Sequence, residues 1–137
     1  MKNIESQQLA PQNGEIVLYN PDDTIRLEVR MNEETVWLTQ AQMAELFDKS
    51  VSVVSRHIAN IFAEEELEEK SNLHFLQIAN SDKPVKYYSL DVIISVGYRV
   101  KSKKGTRFRQ WANRVLKDYL LKGYSVNQRI ERLEQRV

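Results

Sequence analysis

The sequence predicts an α+β fold: a winged helix-turn-helix-like domain with short β-hairpins and a long C-terminal helix. Three observations lead there. Two short helical patterns separated by a three-residue break fill residues 39 to 62, pairs of strand-like runs flank them, and an apolar stripe recurs at three-and-four spacing from Phe108 to Leu120.

Residues 1–14 are polar with Pro11 and Gly14 as breakers, and are expected to form a flexible leader or an expression remnant. EIVLYN and TIRLEVRM surround the turn-forming Asn20-Pro21-Asp22-Asp23, and Ile25, Leu27, Val29 and Met31 alternate with polar residues, which predicts a hairpin with one buried face. Val36-Trp37-Leu38 then leads to Thr39, whose hydroxyl suits the cap of a first helix over 40 to 47; a second follows over 51 to 62. The acidic block 64–69, EEELEE, either extends that helix or forms a solvated loop. SNLHFLQIAN and VKYYS around Ser81-Asp82-Lys83-Pro84 predict a second hairpin. Ser89 and Asp91 supply a cap and a first-turn acid for a helix ending near Val100, with Gly97 permitting close packing. The longest helix is expected from Thr106 to a stop at Gly123, burying Phe108, Trp111, Ala112, Val115, Leu116, Tyr119 and Leu120. Beyond it Val126, Ile130, Leu133 and Val137 open a heptad-like pattern, so 15–123 is expected to be the domain and 124–137 the start of a coiled-coil helix in a longer protein.

The composition, 42% hydrophobic and 28% charged, is that of an ordinary globular domain. The chain has no cysteine, which excludes disulfides and thiolate chemistry. No apolar run approaches the length of a membrane span or the core of a secretory signal, so the expected compartment is the cytoplasm, with no membrane partner. The net charge of +1 conceals segregation. Against the acidic block, residues 97–123 carry Arg99, Lys101, Lys103, Lys104, Arg107, Arg109, Arg114, Lys117 and Lys122 with the single acid Asp118. A polyanion selects that second block.

The helical pair carries the functional reading. Met43, Ala44 and Phe47 give the first helix an apolar face, as Val51, Val54, Ile58 and Ile61 give the second. Asp48-Lys49-Ser50 has the length of the turn in a helix-turn-helix; Asp48 stands where a positive φ usually selects glycine, and Lys49 where an apolar residue is usual. Ser50 is expected to cap the second helix and offer its amide end to phosphate. Ser52, Val53, Ser55, Arg56 and Asn60 are left outward, the residue types that read base edges in a major groove, with Arg56 the foremost. The second hairpin stands where a wing would, with Lys83 and Lys86 to reach phosphate or the minor groove, or it is simply structural. Lys103, Lys104, Arg107, Arg114 and Lys117 offer a basic strip to a phosphate backbone, or form a solvated face.

Taken together, EVR, VWLTQAQMAELF, RHIANIF and YYSLDVIISVGYRVKSKKGTRFRQWANRVLKDYLLKGY resemble the RhuM family of bacterial virulence-associated proteins over roughly residues 15 to 125, most specifically in the ungapped run SLDVIISVGYRVKSKKGTRFRQWA. The resemblance implies a bacterial or mobile-element origin and a DNA-binding, regulatory role similar to that of phage antirepressor modules. It supplies no reaction and no active site.

Catalysis finds no foothold in these residues. His57 and His74 have no HxxxH or HxH spacing for a metal, the glycines at 14, 97, 105 and 123 form no phosphate loop, and GxSxG is absent, so no cofactor or small-molecule substrate is expected. The expected partners are double-stranded DNA and a second copy of the chain as a homodimer. The alternative is a non-catalytic interaction module that keeps the helix-turn-helix as scaffold and binds an acidic protein through its basic helix.

Overall fold

The computed structural model describes residues 15–22, 25–32, 35–77 and 82–135, with side chains to 119 and at 121. The expected leader 1–14, the turn residues Asp23 and Ser81, Val137, and the side chains of Leu120 and of the heptad positions Val126, Ile130 and Leu133 therefore lie outside the description.

The architecture is α+β. Strands β1 (Glu15–Tyr19), β2 (Leu27–Met31) and β3 (Val36–Leu38) precede helices α1 (Gln40–Phe47), α2 (Val51–Ala63) and α3 (Glu69–Asn72); β4 (Leu73–Leu76) and β5 (Val85–Ser89) follow, then α4 (Leu90–Arg99) and α5 (Lys104–Gln135). All strand pairs are antiparallel in one sheet of order β1-β2-β3-β5-β4. The first hairpin pairs Val17 with Val29, and its alternation buries Ile25, Leu27, Val29 and Met31 as the pattern predicts.

The two faces of the sheet differ. Leu27, Val29, Met31, Val36, Leu38 and Tyr88 point into the main core with Met43, Leu46 and Phe47 of α1, Val54, Ile58 and Ile61 of α2, Val92, Ile93 and Val96 of α4, and Phe108 and Ala112 of α5. On the reverse face Trp37, Leu76 and Tyr87 form a small separate cluster, His74 stacks 3.9 Å from Trp37, and Arg30 lies over the Tyr87 ring while its Nε donates to the Tyr87 hydroxyl. Tyr19 joins the hairpin to α5 through an edge-on contact with Phe108 and a tilted one with Trp111.

Each central helix starts on a side-chain cap. Thr39 Oγ1 accepts from the Gln42 amide at 3.1 Å while Thr39 N donates to Gln42 Oε1 at 2.9 Å, a complete capping box, and Gln42 Nε2 ties it to the Glu28 carbonyl at 2.8 Å. Ser50 caps α2 by accepting from Val53 N, and Ser89 caps α4 by accepting from Val92 N.

Two expectations are corrected and one open alternative is decided. Val51 is 48% exposed instead of joining the apolar face of α2, since it stands at the first helical position, where no preceding turn of the helix covers it. Of the two readings of the acidic block, the solvent-exposed loop holds over residues 64–68, and a short helix begins at Glu69. Gly123 does not stop the last helix, which starts at Lys104 and runs unbroken to Gln135. A glycine ends a helix through a left-handed residue and the hydrogen bonds that accompany it, and without that geometry it costs about 1 kcal/mol and is crossed.

Candidate nucleic-acid interface

The two helices that carry the motif are joined by Asp48, Lys49 and Ser50. Asp48 has φ 56° and ψ 50°, the left-handed conformation expected of it, and the reversal is closed by Asp48 N donating to the Glu45 carbonyl and Lys49 N to the Ala44 carbonyl. Val54, Ile58 and Ile61 then fix the rotation of α2 against the core. That rotation leaves Ser52, Arg56 and Asn60 exposed, one turn apart along one line of the helix. Ser50 is exposed beside them, its hydroxyl 3.1 Å from that of Ser52. Val53 and Ser55, expected outward, are half-buried, since they flank the buried stripe instead of opposing it.

His57 lies half-buried on the same helix, and its pKa is pushed below the ordinary histidine value first by burial and then by the charges of Arg56 and Arg99. The neutral ring is thereby favoured.

The remaining predicted residues fall on two other elements. Lys86 is exposed on β5, with its Nζ 5.9 Å from the centroid of the cross-strand Phe75 ring, itself 42% exposed; Lys83 is exposed in the turn that precedes β5. Lys104, Arg107, Arg114 and Lys117 are exposed along the first half of α5, and Lys103 directly before it. Arg107 and Arg114 lie close enough to Tyr19 for their charges to oppose the rise that burial imposes on its phenol pKa. Helix α4 packs against both α2 and α5 and so sets the three groups in one frame.

Two features escaped the sequence. Arg99 Nη2 donates to Glu64 Oε1 and Glu66 Oε1, each at 2.8 Å, and Ser95 Oγ donates to Glu66 Oε2, so the turn after α2 is latched to α4. These bonds, Arg99 foremost, hold the Glu66 carboxyl below the usual carboxylate range. The second is a cleft of about 480 Å³ at the α4–α5 junction, with Lys101, Lys103 and Arg109 on its rim and Gly97 and Gly105 in its floor. Lys101 and Arg109 had only the general basicity of residues 97–123 to mark them.

The family model for Virulence protein RhuM family matches residues 68–137, just over half of the 137-residue chain. The chain belongs to the RhuM family. In this RhuM chain the match begins at the α3 cap and takes in the second hairpin, α4, α5 and the cleft, whereas α1 and α2 precede it. No curated protein and no solved structure matches. Among the described residues no helix is long and apolar enough to cross a membrane, and no group of three or more histidine, aspartate or glutamate side chains is placed to hold a metal ion.

Proposed function

We propose that this RhuM protein is a non-catalytic, sequence-specific DNA-binding module of a bacterial or mobile-element regulator, with α2 as the helix that enters the major groove. The observation that carries this reading is the exposed line Ser52, Arg56 and Asn60 on a helix capped by Ser50 and joined to α1 by a three-residue turn with left-handed Asp48. An arginine pairs with the O6 and N7 edge of guanine, an asparagine with the N6 and N7 edge of adenine, and a serine with either. The N-terminal amides of α2 suit a phosphate beside the groove.

The hairpin supports the same reading. It follows α2 in sequence, and its strand β5 pairs with β3, the strand directly before α1. A wing is built that way, with Lys83 and Lys86 serving phosphate or the minor groove. Lys103, Lys104, Arg107, Arg114 and Lys117 supply sequence-independent phosphate contacts, and two copies paired through α5 supply two such surfaces.

A second reading rests on Ile16 and Leu18, 53% and 41% exposed on the reverse face of the sheet, which suit a non-catalytic protein-interaction module. Titration of a long duplex, followed by anisotropy over a range of salt, separates the two. The DNA reading expects binding to random duplex with an affinity that falls steeply and linearly on a log–log salt plot. Absence of any complex at modest salt would sink it in favour of the adaptor.

A further inference from the structure

We propose that the cleft at the α4–α5 junction is a nucleotide site, holding the phosphates of a nucleoside phosphate between Lys101, Lys103 and Arg109 with the base against Tyr98. Its volume of about 480 Å³ lies within the span of small-ligand sites and suits one nucleotide unit. Backbone makes the floor. A Cβ on Gly97 would stand 3.1 Å from the Phe47 ring and 3.5 Å from the Gly105 Cα, so the two glycines let the helices meet closely where they line the cleft.

The rim has one sign of charge. Lys101, Lys103 and Arg109 line it with the hydroxyl-bearing Ser102 and Thr106, and no carboxylate is among the lining residues. Three cations converging without a counter-charge select a compact, multiply charged anion, and the adjoining start of α5 adds the positive end of its dipole. Arg99, nearby in sequence, is not part of this field, because its guanidinium is committed to Glu64 and Glu66.

Tyr98 decides for a nucleotide over a bare phosphate. It lines the same cleft and is 84% exposed, an aromatic ring offered almost whole to solvent beside the cations. Bases stack on such rings whatever their identity. A free nucleotide and a nucleotide unit of a nucleic acid share this chemistry.

The test is titration of the full 137-residue chain with ADP, adenosine and inorganic pyrophosphate, read by amide chemical shifts and calorimetry. ADP is expected to bind and to move the amides of Gly97, Ser102, Gly105 and Thr106, with pyrophosphate weaker and adenosine weakest. Arg109→Gln should weaken ADP and pyrophosphate alike, by about tenfold. Tyr98→Leu should weaken ADP roughly fivefold or more and leave pyrophosphate unchanged. Both residues are exposed, so neither change threatens the core; Lys101→Gly removes a third contact while keeping the backbone conformation. Displacement of ADP by a single-stranded oligonucleotide assigns the cleft to a unit of nucleic acid, and simultaneous binding of both assigns it to the free nucleotide. Absence of shifts at millimolar ADP and pyrophosphate, or shifts on α2 with none at the cleft, overturns the proposal. The readout does not involve Arg56, so failure of duplex binding leaves it intact.

Discussion

Asp48, Glu65 and Lys101 are the non-glycine residues with positive φ among the described residues, and each follows the end of a helix. After α2, Glu65 N donates to the Phe62 carbonyl and Glu66 N to the Ile61 carbonyl; after α4, Lys101 N and Ser102 N serve Tyr98 and Gly97 in the same way. Three helix ends thus adopt the Schellman geometry without its usual glycine. A left-handed residue with a Cβ costs about 1 to 2 kcal/mol, of which glycine's greater freedom in the unfolded chain returns about 0.5 to 1. Glu65→Gly, at a side chain with no role in the latch, is therefore expected to stabilise the fold by about 0.5 to 1 kcal/mol and to raise the melting temperature by about 3 °C. Ala63→Gly, inside the last turn of α2, should lower it instead; equal effects from the two would refute the helix-end argument.

The Glu66 carboxyl belongs to the same scale. Its pKa in the folded protein is below the ordinary value, so the unfolded chain takes up the proton first as pH falls. The stabilisation is complete above the ordinary carboxylate range and disappears as pH drops through the lower folded value. Denaturant curves of the parent chain and Arg99→Met should accordingly differ at neutral pH and converge in acid; a gap unchanged by pH would remove the latch from the account. For DNA binding, Arg56→Ala is expected to cost about 1 to 3 kcal/mol on a selected site and to relax base preference, while Arg114→Ala weakens all sequences alike and flattens the salt slope. Equal loss for Arg56→Ala on selected and random duplex would move that residue to the phosphate class.

At the scale of elements, the helix pair and the cleft depend on one packing decision. Phe47 ends α1 and is 3% exposed, its ring enclosed where α4 and α5 pass closest, at Gly97 and Gly105. Replacing Gly97 by alanine gains about 1 kcal/mol of helix propensity and incurs an overpacking cost of about 1 to 3 kcal/mol against the buried Phe47 ring, which must shift by a few tenths of an ångström. Gly97→Ala should thus lose about 1 kcal/mol net in denaturation, and Gly97→Ala with Phe47→Leu should recover part of that loss. Strict additivity of the two changes would show that they do not meet. Most elements were legible from the chain: the hairpins from alternation, and α1, α2 and α4 from Thr39, Ser50 and Ser89. The fate of EEELEE was not, because its turn geometry is paid for by Arg99 and Ser95, some thirty residues away.

The whole molecule is one sheet with helices on one face and a long last helix, α5, whose first turns join the core through Phe108 and Ala112. If α5 pairs two copies, two α2 helices can address successive major grooves about 34 Å apart, and the selected site should be palindromic. Sedimentation is expected to show a dimer at high protein concentration; a monomer throughout, together with selected sites lacking two-fold symmetry, would eliminate this arrangement.

What the amino-acid order determined by itself is most of the elements and, for most of them, the face that is buried. Caps, alternation and three-and-four spacing act between residues a few positions apart, and their physics needs no distant partner. Tertiary structure decided which charges share a space. In sequence Lys101, Lys103 and Arg109 look no different from Arg107, Arg114 and Lys117, yet the turn at Lys101 and the contact of Gly97 with Gly105 gather the first three around a cleft. Convergence of like charges is a property of the path of the backbone between two helices, and local spacing does not encode it.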